Sequence, residues 1–393
     1  MEQEKHIMGV PKNVFFLGLV SMFNDFSSEM TQSVMPLFLT TVLGAPVMAV
    51  GLIEGFADAL ASILKIVFGW LSDKWNRRKS FAVFGYLLSV STRPFLILAT
   101  SYGHVFGLRA LDRVGKGMRD APRDALIAES TTPETLGRSF GYHRMMDTIG
   151  GTLGPLAAFV ILPLVFFSYD FIFVIAFVVG TLSVITFLLV KEKKRPEDGT
   201  EYRFDFNLVK SNRRFVVFLA SVFVFGLGTL PLPLILLRAP EVGFVAVSVP
   251  FFYFVTNCAF VLASAPFGRL GDTFGKRKMV SIGFAAALAA HLLLIFAHSF
   301  IMFFASFALL GIYSAATDGI QRAMVARLVD PKIRATGQGF LNASTGISAL
   351  LAGGIGGALW TYIGAQAAFV YAATMSFAGL VLFLILMHVR FRE

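Results

Sequence analysis

The sequence has a single cysteine, Cys258, and few charged residues. One cysteine cannot form a disulfide within the chain, so a disulfide-stapled scaffold is excluded, and Cys258 is interpreted as a small core residue. Charged residues make up only 15% of the chain, whereas 56% of the residues are hydrophobic and 43 are phenylalanine. This composition leaves too little polar surface for a water-soluble domain. We therefore predict a membrane protein.

Uncharged stretches that are long enough to cross a bilayer, which takes roughly 20 apolar residues, recur along the chain. Two of them, 279–317 and 335–389, are each long enough for two crossings. A closed transmembrane barrel would instead show short alternating segments. We predict an all-α membrane protein with twelve spans. The predicted spans are 13–38, 47–72, 79–100, 103–128, 138–166, 169–190, 214–237, 244–270, 278–298, 300–328, 335–362 and 366–389.

Lysine and arginine positions predict the orientation in the membrane. The residues before Lys12 lack the apolar region and cleavage site of a signal peptide, so we expect the first span to be retained. With twelve spans, one set of loops holds 74–79, the block 191–214 and most other basic residues, and the opposite set holds only Arg238. Because cytoplasmic loops retain basic residues, both termini are predicted to be cytoplasmic, in a plasma (inner) membrane. This bias accounts for the net charge of +10 without a nucleic-acid partner.

Two sequence matches at nearly one offset indicate an internal duplication. The stretch "GWLSDKWNRRK" from Gly69 matches "GRLGDTFGKRK" from Gly268, 199 residues later. The stretch "RDALIAESTTPETLGRSFG" from Arg123 matches "QRAMVARLVDPKIRATGQG" from Gln321, 198 residues later. A polar block that carries both signs of charge separates the two copies. The predicted organisation is an N-terminal six-helix bundle over 1–190, a cytoplasmic linker over 191–213 and a C-terminal six-helix bundle over 214–393.

The repeated loop, Gly-x-Leu-x-Asp-x-x-x-Arg-Arg-Lys after the second span, closely resembles the signature loop of the major facilitator superfamily. The resemblance covers nearly the whole chain and implies two similar bundles with a substrate site near the membrane midplane. In that family the loop acts as a conformational latch, with its aspartate at a helix N-terminus. The same basic residues can alternatively anchor the loop at anionic headgroups. The latch residues implied here are Gly69, Asp73, Arg77, Arg78, Asp272 and Arg277.

Ionisable residues inside the spans cluster in the N-terminal half. Each costs at least a few kcal/mol at the bilayer centre unless it is paired or hydrated. Asp25 and Glu29 are four residues apart and share a helix face, as do Glu54 and Asp58. An internal salt-bridge ladder and a device in which a carboxylate exchanges an arginine for a proton both fit this pattern. The predicted proton-coupling residues are Asp25, Glu29, Glu54, Asp58 and Asp147, with Arg113 as their electrostatic partner.

Two shorter motifs carry the family resemblance further. The stretch "RVGKG" from Arg113 resembles the family's span-four motif Arg-x-x-Gln-Gly, which is associated with proton coupling, but Lys116 replaces the glutamine. The stretch Gly150-x-x-x-Gly154-Pro155 resembles part of the family's antiporter motif, in which small residues permit close helix packing. The match is partial because alanines stand beyond the proline where glycines are usual. These motifs imply export in exchange for protons, driven by a proton gradient without a cofactor or bound metal.

The C-terminal half has fewer polar groups in its spans and is interpreted as an apolar, aromatic wall. Asp318 and Arg322 are four residues apart and can also simply neutralise each other. The candidate substrate-binding residues from both halves are Asn24, Arg144, Tyr253, Asn257, Asp318 and Arg322.

The sequence gives little support for an enzymatic function. The stretch "GRSFG" (137–141) has the Gly-x-Ser-x-Gly pattern of serine hydrolases, but it opens a predicted membrane helix and not a strand–turn–helix. None of the six histidines begins a His-Glu-x-x-His zinc motif. We predict a monomeric secondary transporter that moves a small organic solute outward against protons by alternating access. The alternatives are an importer of an organic anion, a metal or a metal chelate, by symport or uniport, and a non-transporting membrane receptor.

Overall fold

The structure is a computed structural model that describes residues 6–75, 77–132, 135–192, 212–329 and 334–388. A short antiparallel hairpin, β1 (His6–Ile7) and β2 (Val10–Pro11), precedes the first helix. Gly9, at φ 78°, takes the left-handed conformation that this tight turn requires. The hairpin was not predicted, because two-residue strands leave no periodic pattern in a sequence.

Six long helices follow the hairpin in the first half of the chain. They are α1 (Lys12–Leu37), α2 (Val47–Lys74), α3 (Arg78–Ile97), α4 (Tyr102–Glu129), α5 (Leu136–Leu164) and α6 (Tyr169–Leu188). A π-helical turn, Phe38–Val42, extends α1 beyond its last regular residue. Ser101 caps α4 by accepting a hydrogen bond from the backbone N–H of His104, and this cap begins the helix close to its predicted start.

The second half repeats this arrangement with one interruption. Its helices are α7 (Arg213–Leu227), α8 (Leu232–Leu236), α9 (Arg238–Glu241), α10 (Ser248–Thr273), α11 (Lys276–Phe296), α12 (Phe300–Leu328), α13 (Arg334–Tyr362) and α14 (Ala365–His388). The span predicted over 214–237 is therefore broken after Gly228. Pro231 and Pro233 lack the N–H groups that a continuous helix would use at this point, which explains the break.

Ten helical segments of the described chain are long and apolar enough to cross a membrane, with α7 and α8 counted as one segment, 213–236. The two remaining long helices, α1 and α4, have 26 and 28 residues but are more polar. The predicted all-α class is thus confirmed. Part of the polar character of α1 and α4 comes from ionisable residues, which include Asp25 on α1 and Arg113 on α4.

Contacts divide the chain into two compact units, Met1–Leu43 with Leu60–Tyr202, and Gly44–Ala59 with Arg203–Glu393. Residues 44–59 join the second unit because small residues let α2 approach α13. A Cβ added at Gly51 would lie 2.2 Å from the carbonyl oxygen of Gly353. The predicted bundle boundaries stay a prediction, and residues 193–211 of the predicted linker 191–213 lie outside the described residues.

Each unit has its own apolar core. In the first unit, Val14, Leu17 and Tyr86 belong to a buried cluster that reaches Phe187 of α6. In the second unit the core is strongly aromatic. The rings of Phe225 and Phe284 stack with their centroids 3.6 Å apart, and Phe383 packs against Phe284. Aromatic rings bury large areas and fix relative geometry, so α7, α11 and α14 are held together.

Candidate functional site

The candidate site in the first unit lies where α1 packs closely against α5. A Cβ added at Gly150 would lie 2.1 Å from the carbonyl oxygen of Met22, and one at Gly154 would lie 2.4 Å from that of Phe26. Real side chains do not tolerate such distances to backbone, so only glycine permits this approach. The glycines singled out in the sequence therefore act as a helix-packing element, and Asp147 on α5 is brought beside α1.

Two carboxyl groups meet at this helix contact. Asp25 of α1 and Asp147 of α5 lie close enough to interact electrostatically and to form a hydrogen bond if one of them is protonated. Asn24 Nδ2 donates to Asp25 Oδ1 at 3.0 Å, and Ser21 Oγ donates to Asp147 Oδ1 at 2.9 Å. Ionised carboxylates only accept hydrogen bonds, so a hydrogen bond between two carboxyl groups requires that one of them is protonated.

Basic side chains surround Asp147. Arg123 of α4 donates from Nη1 to Ser21 Oγ at 3.2 Å and interacts electrostatically with Asp147. Arg144 of α5 donates from Nη1 to Asp147 Oδ2 at 3.2 Å, while 55% of its side chain is exposed. Asp147 therefore accepts a hydrogen bond from one accessible arginine and interacts electrostatically with one enclosed arginine.

The basic residues that act on Asp25 also lie on α4, in the two turns before Arg123. Lys116 and Arg119 both interact electrostatically with Asp25. Arg119 is almost fully buried, lies over the ring of Tyr86 at 4.9 Å and donates to Ser89 Oγ at 2.7 Å. Its position is fixed by α3, so Arg119 provides a fixed positive charge near Asp25.

Arg113, the predicted electrostatic partner of the carboxylates, is 4% exposed. Its Nη2 donates to Gln32 Oε1 at 3.3 Å, and its Nη1 lies 3.9 Å from Asp112 Oδ2. The deep burial agrees with the position expected from its distance to the end of α4. Its proposed exchange with Asp25, Glu29 or Asp147 stays a prediction.

The other predicted coupling residues lie on two helices. Glu29 faces α5, where a Cβ added at Gly151 would lie 3.9 Å from Glu29 Cγ. Glu54 is buried and Asp58 is exposed, and both belong to the part of α2 that groups with the second unit. Their role in coupling stays a prediction.

The candidate substrate-binding residues differ in exposure. Asn24 is buried beside Asp25, Tyr253 of α10 is buried, and Asn257 is partly buried. Arg322 Nη2 donates to Asp318 Oδ1 at 2.9 Å, with the two side chains 54% and 39% exposed. This ion pair agrees with the alternative that the two charges neutralise each other, and a role in solute binding stays a prediction for the whole set.

The predicted latch residues lie at the C-terminal ends of α2 and α10 and at the start of the helix that follows each of them. Gly69 lies against α4, since an added Cβ would be 3.2 Å from Ala121 Cβ. In the second unit, Lys276 Nζ donates to Asp272 Oδ1 at 2.8 Å, and Arg277 is exposed. The side chain of Asp73 lies outside the described part of the structure, so its contact with a helix N-terminus stays a prediction.

The two arginines of the first latch differ in their surroundings. Arg78 is 9% exposed and forms an ion pair with Glu129 at the end of α4. Arg77 is exposed and stands at the N-cap position of α3 without a side-chain cap bond. Of these two arginines, Arg78 is therefore the one that ties α3 to α4.

We predict that Arg78→Gln destabilises the protein by about 3 kcal/mol, because it leaves Glu129 enclosed without its cation. The matched variant Arg77→Gln should leave stability within about 0.5 kcal/mol of the parent, as surface substitutions do. Thermal unfolding of the purified variants in detergent measures both effects. Equal melting temperatures for the two variants would contradict the assignment.

Three buried charged residues were missed in the sequence. Arg119 and Asp112 lie on α4, and Arg93 is an arginine in the apolar second half of α3. All three are less than a tenth exposed. The signal that could have found them is their charge itself, because a charged residue within a span implies a buried partner. Within the described ranges, no group of three or more His, Cys, Asp or Glu side chains gathers to hold a metal ion.

Long apolar helices in two units, with buried ionisable side chains inside the first, define a membrane transport protein. The family model described as Major Facilitator Superfamily matches residues 17–261 and 237–393. The chain belongs to this superfamily, as the loop motif implied, and is an integral membrane secondary transporter and not an enzyme.

Relatives and solved structures agree with this assignment. An uncharacterized MFS-type transporter of Methanocaldococcus jannaschii is 34% identical over 383 residues, 95% of each chain. Multidrug resistance protein MdtH of Photorhabdus laumondii is 31% identical over 132 residues, 34% of this chain and 31% of MdtH. The nucleoside transporter NupG matches with a TM-score of 0.78 at 14% identity, covering 97% of this chain and 100% of NupG. A peptide transporter POT in complex with sulfate matches with a TM-score of 0.80 at 16% identity, covering 98% and 96%. At such identities the two structures show the fold alone.

Proposed function

We propose that the protein is a proton-coupled exporter that moves a small organic solute out of the cell by antiport. The contact between Asp25 and Asp147 carries this proposal. It sits on α1 and α5 close to basic residues of α4, and we infer that it holds one proton, because two ionised carboxylates this close would repel each other. A carboxyl pair of this kind takes up and releases one proton without a cofactor, and the proton gradient drives the cycle.

The proton and the cations compete for the same carboxyl oxygens. With the proton in place, Asp25 and Asp147 together carry one negative charge, and their contact is a hydrogen bond. When the proton leaves, two negative charges repel each other at this short distance, and Arg123, Lys116 and Arg119 of α4 supply the compensating attraction. Loss of the proton therefore favours a shift of α1 and α5 relative to α4. We propose this shift as the step that couples protonation to alternating access.

Two observations support export over import. The close packing at Gly150 and Gly154 is the feature that the antiporter motif implied. MdtH, a multidrug resistance protein, is related over about a third of the chain. The proposed setting is a monomer in the plasma membrane of the cell, with both termini cytoplasmic, because most lysine and arginine residues of the loops fall in one predicted set of loops.

An organic-anion importer is the second candidate. Basic residues outnumber acidic ones along α4, and four arginines on this helix and α3 interact electrostatically with the single carboxylate of Asp112. Such a field attracts anions, and import of an anion with protons uses the same carboxyl pair.

Proton movement in proteoliposomes distinguishes the candidates. Liposomes that contain the purified protein and an internal pH dye receive a solute panel with lipophilic cations such as ethidium, nucleosides, peptides and organic anions. Antiport predicts that an accepted solute moves protons in the direction opposite to its own. Anion symport predicts movement in the same direction, and solute flux without any proton movement would refute coupling. A thermal-shift screen of the same panel at two pH values selects the solutes first.

A further inference from the structure

A small cavity lies inside the first unit between α1, α3 and α4. Its volume is about 10 Å³, which is room for roughly one water-sized species. Neither Asp25 nor Asp147 is among the residues that line it. The polar residues that line it are Ser28, Thr31, Thr92, Arg93, Arg109 and Asp112.

Arg93 is the unusual member of this lining. It is 2% exposed, and neither Nη1 nor Nη2 has a hydrogen-bond partner among the residues that the structure describes. The guanidinium lies against α6, where a Cβ added at Gly180 would be 2.1 Å from Nη1. A buried cation that lacks a bonded counterion loses its hydration without compensation, which is strongly unfavourable.

The charged residues that line this cavity carry a net positive charge. Asp112 is its one acidic residue, and its Oδ2 already lies 3.4 Å from Arg109 Nη1 and 3.9 Å from Arg113 Nη1. The lining therefore holds two guanidinium groups, those of Arg93 and Arg109, and one carboxylate. A water molecule would supply hydrogen bonds but no charge, whereas a monatomic anion supplies both.

We propose that the cavity binds a chloride ion, held by Arg93 and Arg109, which neutralises the buried guanidinium and joins α3 to α4. Chloride is a monatomic anion somewhat larger than a water molecule, and it accepts hydrogen bonds from guanidinium groups. The thermal and crystallographic tests below measure binding without transport, so their outcome does not depend on the proposed function.

The first test compares the thermal unfolding of the purified full chain in chloride and in gluconate at equal ionic strength. We expect chloride to raise the melting temperature by about 3–5 °C. Arg93→Gln should lose this difference, whereas Arg138→Gln, at an exposed arginine of α5 in the same unit, should keep it. No chloride effect in the parent protein, or an equal effect in Arg93→Gln, would overturn the proposal.

Two further measurements keep the test decisive if Arg93→Gln does not fold. Arg93→Lys retains the charge but not the planar group, and it should need about tenfold more chloride for the same stabilisation. An unchanged chloride requirement would count against Arg93 as a ligand. Crystals grown in bromide should show an anomalous peak in the cavity next to the Arg93 guanidinium. A peak-free cavity that holds only water would refute the anion.

Discussion

Replacing Asp25 by asparagine is expected to abolish proton coupling while the protein still folds. The amide has nearly the shape of a protonated carboxyl group and can donate to Asp147, as the shared proton does, so the helix contact is retained. It cannot release a proton, so the pair is locked in its protonated form. In the parent protein, solute affinity should change by about 10- to 100-fold with pH, which is within the range of coupling between two sites in proteins. In Asp25→Asn this change should disappear.

Two readouts test this prediction. Solute affinity, measured by thermal shift between pH 5 and 8, should depend on pH in the parent protein and lose this dependence in Asp25→Asn. Infrared difference spectra should show a protonated carboxylic acid band in the parent that Asp25→Asn lacks. The matched control is Asp170→Asn, because Asp170 is an exposed aspartate in the first turn of α6. A pH dependence that survives in Asp25→Asn would remove the pair from the mechanism.

The sequence predicted the fold well because the bilayer constrains it strongly. Long apolar runs have few alternatives to helices in a membrane, and an internal repeat at one offset indicated duplicated halves. The features that were missed are local. The hairpin before α1 has no periodicity. The break at Gly228 depends on Pro231 and Pro233, and the hydropathy of the span does not show that the helix is interrupted there.

The candidate site was predicted in part, and the reason lies in helix geometry. Four-residue spacing shows which side chains share a face, but it does not show which neighbouring helix that face meets. Asp25 and Asp147 were both named, yet only the packing of α1 on α5 shows that they lie close enough to interact. Arg113 was expected to be the electrostatic partner of these carboxylates, and its observed contacts include Gln32 and Asp112. The register of one helix against another is set by many small contacts, and single-sequence patterns do not contain it.

The glycines that permit this packing lead to the second large prediction. In a helix interior, Gly→Ala normally stabilises by roughly 0.5–1 kcal/mol, because alanine loses less backbone freedom on folding. At Gly150 and Gly154 the sign should reverse. The new methyl groups would meet the backbone of Met22 and Phe26, which cannot rotate away, so α1 must move outward. Overpacking of this kind costs about 1–3 kcal/mol at each site.

The neighbouring Gly151 supplies the matched control, because it lies in the same helix and an added Cβ would meet only Glu29 Cγ at an ordinary 3.9 Å. We expect Gly151→Ala to melt at or above the temperature of the parent protein, and the double variant Gly150→Ala/Gly154→Ala to melt well below it. Because the displaced helix carries Asp25, the double variant should also lose the protonated carboxylic acid band. If the double variant melts like Gly151→Ala and keeps that band, α1 and α5 do not approach as closely as described, and the contact that supports proton coupling loses its structural basis.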